Sequence, residues 1–321
     1  MRRRIGDDSG AAHNEAGIVD PRRADPQGYC NAPDQRNAPL KTIAAVLIVT
    51  LSFGVAKAAE CGPDRLGTSR VVEVGTQGGL VVGLKTYPKA IPLADHEVIL
   101  TFDDGPESAT TPLVLEALAR ECVRATFFDI GRKVEATPDL ARREAAEGHT
   151  VAHHTFSHPQ PTMRDMDRGV ARADILRGMI AVEKAAYGVD FSAGTPKDLA
   201  GLKLHTPFFR FPGFADTPDL RAWFAANNIG IFGTDLWASD WLTMTPQAEL
   251  KLILARLDGP KRGMILFHDN EPWTAQMLPD FLSQLKKRGY HVVHMVPGPG
   301  NGPTVDAPHG WVSETGGQKP R

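Results

Sequence analysis

From residue 98 onward, short unbroken apolar runs alternate with longer stretches whose apolar positions fall three and four apart. The short runs read as strands buried on both faces, and the longer stretches as amphipathic helices packed over them. The first run, Val98-Ile-Leu-Thr-Phe, is rich in residues that favour strands, and it ends on two carboxylates, Asp103 and Asp104, ahead of a Gly105-Pro106 stop. Further strands are expected at 125–130, 150–152, 208–210, 230–234, 263–267 and 290–296. Helices are expected at 113–120, 138–147, 163–187, 219–227 and 275–288, with one more begun by Thr245-Pro246. Pro112 and Pro138 suit the first helical turn, and Gly148 and Gly188 suit the residue after the last. Seven strands in alternation with helices indicate an α/β chain with a parallel sheet closed into a barrel. Reactive groups in such folds gather at the carboxyl ends of the strands.

The flanks carry less pattern. Residues 60–95 are Gly- and Val-rich, with Arg70-Val-Val-Glu-Val as a short strand, and are expected to form an N-terminal extension packed outside the main core. Residues 190–207 are polar, Gly/Pro-punctuated and aperiodic, which suggests a loop that shapes a substrate cleft. From Pro297 to the end Gly and Pro dominate, so 297–321 is expected to be a disordered tail.

Composition narrows the class. With 321 residues, a net charge of −2 and 42% hydrophobic content, the chain can bury one large core or two small ones. Neither a basic nucleic-acid-binding face nor an acidic tail is visible. Lys41, the apolar stretch 43–55 and Ala56-Lys57-Ala58 have the charged flank, short apolar core and small-residue cleavage pattern of a secretory signal. That core is too short to span a bilayer comfortably, so no stable membrane span is expected after cleavage and the product would be periplasmic or secreted. Residues 1–39 are polar and aperiodic, a long leader for a signal peptide. Residues 1–59 are therefore expected to be a disordered leader plus signal peptide, with translation starting at Leu40 as a hypothesis that N-terminal sequencing would test. The alternative is a cytoplasmic extension ahead of a signal anchor. Cys30 would leave with the leader, whereas Cys61 and Cys122 would reach an oxidising compartment where a disulfide is open to them.

Polar residues recur at the strand ends. Asp103 and Asp104 are neighbours, so they can share one site only where the strand ends and turns away. Alone, an Asp-Asp-Gly reads far more readily as a solvated turn, so the case for chemistry must come from partners elsewhere in the chain. His154 and His158 are four apart, a spacing that brings two imidazoles to one side of a helical turn, where a carboxylate would complete a metal site. Arg210 ends the fourth strand and could hold a carboxylate bidentately, or make a surface ion pair. Asp240-Trp241 suits an acid that orients a histidine beside a sugar platform, or a helix cap beside core tryptophans. His268 ends the sixth strand, where it is well placed as a general acid.

In order and spacing, Thr101-Phe-Asp-Asp-Gly105, His154-Thr-Phe-Ser-His158, Arg210-Phe-Pro-Gly213, Asp240-Trp241 and Leu266-Phe-His268 resemble the five motifs of the polysaccharide deacetylases, also called carbohydrate esterase family 4 or the NodB homology domain. The likeness covers roughly 95–296. The resemblance implies a distorted (β/α)7 barrel over 96–296 and a hydrolase that removes N-acetyl groups from N-acetylglucosamine units and releases acetate. It further implies Asp103 as general base, Asp104, His154 and His158 as ligands of a divalent metal, and Arg210 as the partner that holds Asp103. Zinc is the foremost metal, with cobalt or another divalent ion also compatible. His268 would be the acid, tuned by Asp240; Leu266 would face the acetyl methyl, the amide near Gly213 would form the oxyanion hole, and Trp241 would line the glycan. Two departures stand out. His153 occupies the place usual for Asn, and Gly213-Phe214 stands where the family often has Tyr-Gly. The expected partner is an acetylated glycan. Rival readings are an acetylxylan O-acetyl esterase and a non-catalytic glycan-binding protein with a structural metal. A haloacid-dehalogenase-type phosphatase needs a residue between its two aspartates, and none separates Asp103 from Asp104.

Overall fold

The computed structural model describes residues 61–315 apart from 161 and 193. The expected leader, the Leu40 start and Cys30 lie outside the described residues, as do 316–321.

Three short strands come first: β1 (Thr68–Gly75), β2 (Val81–Val82) and β3 (Lys89–Ala90). The central strand β4 (Glu97–Asp103) is followed by α1 (Thr111–Arg120), β5 (Thr126–Asp129), α2 (Gly131–Ala136), α3 (Pro138–Ala146) and β6 (Thr150–His153). The long helix α4 (Arg168–Tyr187) then leads to β7 (Phe208–Phe209), α5 (Pro218–Ala226), β8 (Gly230–Phe232) and β9 (Leu236–Trp237). The chain closes with α6 (Pro246–Asp258), β10 (Gly263–His268), α7 (Pro272–Lys287), β11 (His291–Gly298) and β12 (Val305–Asp306).

Every pairing in the main sheet is parallel, in the order β1-β11-β4-β5-β6-β7-β8-β2, with β10 lying against both β4 and β9. Because β8 pairs on the β7 side and β9 on the β10 side, the stretch 230–237 carries the sheet round on itself. The result is the barrel expected from the strand count, in the distorted form that the resemblance implies. Residues alternate along β4 as a strand buried on both faces requires. Val98, Leu100 and Phe102 pack outward among α1, α6 and α7 residues, while Ile99 packs in the interior with Phe128, Phe232 and Met264. Thr101 and Asp103 share the face of Ile99, which puts a carboxylate at the mouth of the barrel.

Helix α4 begins at Arg168 rather than at 163. Asp167 sets that start, accepting hydrogen bonds from the amides of Gly169 and Val170, and Gly188 ends the helix in the left-handed conformation (φ 69°).

Two expectations are corrected. The N-terminal extension does not lie outside the core: β1 pairs with β11 and β2 with β8, and Val72, Val74, Leu80 and Val82 pack in the interior cluster. Residues 190–207 precede β7: Thr206, near the end of the segment, meets the Tyr187 hydroxyl, which also meets Val151, while residues 195–198 line a cavity with Gly169 and Arg172 in the first turns of α4. Finally, 297–315 is structured: β12 pairs antiparallel with β3, the Trp311 indole donates to the Leu84 carbonyl at 2.6 Å, and Glu314 pairs with Lys85 at 2.5 Å. Cys61 and Cys122, whose pairing the sequence left open, form a disulfide with Cα atoms 5.8 Å apart. Among the described residues no helix is long and apolar enough to cross a membrane.

Candidate active site

β4 ends at Asp103, and Asp104 follows with φ 70°. A left-handed residue here breaks the strand alternation, so the second carboxyl swings to the same mouth as the first. Asp104 Oδ1 is buried and meets no hydrogen-bond donor, yet it lies 3.3 Å from Nε2 of both His154 and His158. Burial pushes the Asp104 carboxyl up, but the imidazoles of His154, His268 and His158 outweigh it and hold the group below the usual carboxylate range.

The two histidines sit on a loop that leaves β6 and is tightly constrained. Thr155 and His158 both take positive φ, 67° and 49°. The amides of Phe156 and Ser157 donate to Asp174 Oδ2 from α4, and the amide of His158 donates to Thr155 Oγ1. Helix α4 comes close enough only because residue 178 is glycine: a Cβ there would stand 2.4 Å from the Thr155 carbonyl. His154 Nδ1 is 2.7 Å from the Arg210 backbone oxygen, a partner to which it can only donate, so Nε2 is the nitrogen left facing Asp104 and carries the lone pair whenever the ring is neutral. Asp104, His154 and His158 form the group among the described residues whose ligand atoms all lie within 4.8 Å of one another. Two imidazoles and a carboxylate, with a buried oxygen that lacks a donor, fit a divalent cation.

Arg210 lies wholly buried beneath this group. Its Nη1 donates to Asp103 Oδ1 at 2.6 Å and to Thr101 Oγ1 at 2.9 Å, its Nε to the Phe232 carbonyl, and its Nη2 to the Gly233 carbonyl, while the guanidinium stacks 4.2 Å from the Phe128 ring centre. Asp103 Oδ2 is thereby aimed at the mouth, 3.9 Å from His154 Nε2. Across the mouth, Asp240 Oδ1 takes the Nδ1 proton of His268 at 2.8 Å, and its Oδ2 takes the His268 amide at 2.6 Å. Burial alone would lower the His268 imidazole, but the Asp240 carboxylate and, further off, Asp104 and Asp103 raise it to about 10. His268 is thus a cation at neutral pH with Nε2 free of Asp240.

The remaining candidates fall around the rim. Leu266 is buried two residues before His268 and so shares its strand face. Gly213 takes φ 56°, a conformation that glycine adopts freely, and a Cβ there would meet nothing within 4 Å. The Trp241 ring is 48% exposed and stands edge-on to both His268 and Trp237, with ring centres 6.0 and 5.7 Å apart. His153, the departure from the expected Asn, points the other way, as alternation along β6 requires. Its Nε2 donates to the Thr206 carbonyl at 3.0 Å, and burial lowers its pKa to about 3, so its approach to Glu183 is not an ion pair. Sequence reasoning missed Asp174, Gly178 and Thr274, which hold the histidine loop and Asp240; each sits inside a helix, where it reads as an ordinary polar or small position.

The family model described as polysaccharide deacetylase matches residues 90–192. The chain is 32% identical over 215 residues to the peptidoglycan-N-acetylglucosamine deacetylase PgdA of Listeria monocytogenes, an alignment that covers 66% of this chain and 40% of that protein. It is 42% identical over 115 residues to a chitooligosaccharide deacetylase of Sinorhizobium fredii, over 33% of this chain and 53% of that one. The chain thus spans about half or less of the length of these curated relatives. Among solved structures, the peptidoglycan deacetylase Bd3279 of Bdellovibrio bacteriovorus superposes with a TM-score of 0.60 at 29% identity, over 73% of this chain and 60% of that one.

Proposed function

The chain belongs to the polysaccharide deacetylase family, and from that membership we propose that it is a metal-dependent hydrolase that frees acetate from the N-acetylglucosamine units of a glycan. The observation that carries this reading is the convergence at one barrel mouth of three pairings: Asp103 with Arg210, Asp104 with His154 and His158, and Asp240 with His268.

Asp104, His154 and His158 would hold a divalent cation, for which zinc best suits two imidazoles and a carboxylate. When bound, such an ion polarises the amide carbonyl and lowers the pKa of water. The residues of the chain supply the rest. Asp103, its Oδ1 fixed by Arg210, offers Oδ2 as general base to the attacking water. The backbone amide near Gly213, where an added Cβ would meet nothing within 4 Å, would donate to the developing oxyanion. An amine leaves poorly until it is protonated, and His268, kept cationic by Asp240, would deliver that proton from Nε2. Leu266 would exclude water around the acetyl methyl, and the Trp241 ring would lie against a sugar face.

Export would follow from the leader pattern, and the Cys61–Cys122 disulfide supports an oxidising compartment. The test is acetate release by zinc- or cobalt-loaded protein across chitooligosaccharides, peptidoglycan fragments, poly-N-acetylglucosamine and acetylxylan. Release from the first three with loss in Asp103→Asn is the expected result. Preference for acetylxylan would make the protein an O-acetyl esterase, and no release at all would leave a glycan-binding role.

A further inference from the structure

Behind the Asp240–His268 pair lies a polar chain that the reaction as described does not use. Thr274 on α7 and Glu249 on α6 are both fully buried, and the Thr274 hydroxyl oxygen is 2.9 Å from Asp240 Oδ2 and 2.9 Å from Glu249 Oε1. A hydroxyl carries one proton, so it can donate to one of these carboxyl groups and must accept from the other. Asp240 is the group committed as an anion: both its oxygens already accept from His268, and its backbone oxygen accepts from the Trp273 indole. Glu249 Oε2 meets no donor at all. A single arrangement satisfies the Thr274 hydroxyl on both sides and leaves the unpaired Oε2 as an uncharged carbonyl oxygen rather than half of an anion. Glu249 carries a proton and donates it to Thr274, and Thr274 donates to Asp240.

We propose that Glu249, as a buried neutral acid, is a positioning residue for the acid His268, acting through the Thr274 hydroxyl to hold Asp240 ionised and aimed at His268 Nδ1. The role assigned to His268 rests on the function proposed above; the protonation of Glu249 does not. The groups that face Glu249 agree. Burial acts first and Asp240 second to raise the Glu249 carboxyl to about 8, with Glu271 at the start of α7 adding to the rise; Thr274 and the His268 cation oppose it. The first turn of α6 favours an anion at this position, but that influence is small beside full burial next to Asp240.

Two measurements on the full chain test this, and the first is independent of catalysis. Carboxyl-carbon NMR titration of the labelled protein should show Glu249 protonated at pH 6.5 and ionising near pH 8, with the signal identified by its loss in Glu249→Gln. The His268 Nδ1 proton resonance should shift in Glu249→Ala and Thr274→Val but stay in place in Glu249→Gln, whose amide still donates to Thr274. Second, kcat should fall roughly tenfold in the Ala and Val variants, the loss expected when a hydrogen bond to a buried charged group is removed. Glu249→Gln should keep the neutral rate and lose an inflection near pH 8 that the unmodified protein shows. A Glu249 carboxyl that ionises near its ordinary value, or a His268 resonance unmoved in Thr274→Val, overturns the proposal. If no substrate is turned over, the function proposed for the site fails, while the two resonances still decide the state and influence of Glu249.

Discussion

Replacing Arg210 by lysine separates charge from geometry at the heart of the site. The guanidinium supplies donors to Asp103 Oδ1, Thr101 Oγ1 and the carbonyls of Phe232 and Gly233, and it stacks on Phe128. A lysine keeps the positive charge for Asp103, but its one nitrogen cannot reach oxygens spread across the fork of a guanidinium, so at least two acceptors lose their partner. Each buried polar group left unpaired costs about 1–3 kcal/mol, so Arg210→Lys should lose roughly 3 kcal/mol of stability. For a domain of this size that is a fall of roughly 6–12 °C in Tm. Asp103 would also drift, and a misplacement on the order of 1 Å lowers a reaction of this kind by about a hundredfold. Arg210→Met removes the charge as well and strands a carboxylate in the core, so it should be worse, by about 3–5 kcal/mol. Calorimetry of both variants beside kcat/KM on a chitooligosaccharide gives the comparison. A lysine variant within about 2 °C of the unmodified Tm and within about threefold of its kcat/KM would refute this account of Arg210.

The other predictions bear on separate parts of the molecule. Zinc at about a hundred times its Kd should stabilise the protein by about 2.7 kcal/mol, a gain seen as a rise in Tm that His154→Ala or a chelator abolishes. For Asp240→Asn the sign of the pH effect is set by His268, whose pKa is raised. Its stabilising contribution is complete below the ordinary histidine value of about 6.5 and disappears as pH rises through about 10. Urea melts should therefore show the variant most weakened at pH 5 and equal to the unmodified protein above pH 10, while the alkaline limb of kcat moves to lower pH. Reducing the Cys61–Cys122 bond opens a loop with a sequence separation of 61 and should cost about 4 kcal/mol, read as a lower Tm in the Cys61→Ser/Cys122→Ser protein with kcat retained.

What could be read from the text of the chain, and what could not, follows from the range of the forces involved. Both-face burial writes itself as unbroken apolar runs, so 98–103 and 263–267 were legible to within a residue of β4 and β10. Chemistry at the strand ends was legible because Asp103, Asp104, His154, His158 and His268 are uncommon types at regular places. The tail was not. Residues 299–315 are rich in Gly and Pro and have no apolar period, and they are held by isolated anchors, Trp311 on Leu84 and Glu314 on Lys85, which leave no pattern to recognise. Glu249 and Thr274 escaped for a related reason. On helices α6 and α7 each is an isolated polar position, and only the packing of the two helices brings Glu249 to Thr274 and Thr274 to Asp240.

Arg210 shows how one position can bind the halves of the site together. Its side chain crosses the barrel interior to Asp103 on β4, and its backbone oxygen holds the Nδ1 proton of His154 after β6. These are the expected base and an expected ligand, and they come from strands on either side of β5. Because β7 pairs with β6 at His153–Phe209, the carbonyl of residue 210 falls beside His154 whatever its side chain. The carbonyl contact is therefore fixed by the fold, and the reach to Asp103 is fixed by the choice of arginine. A substitution at 210 should consequently spare the tautomer of His154, and with it much of the metal affinity, while it disables the base. Zinc affinity that survives in Arg210→Lys beside a large loss of kcat is the signature of that division, and equal losses in both would mean that the two halves are coupled through the side chain as well.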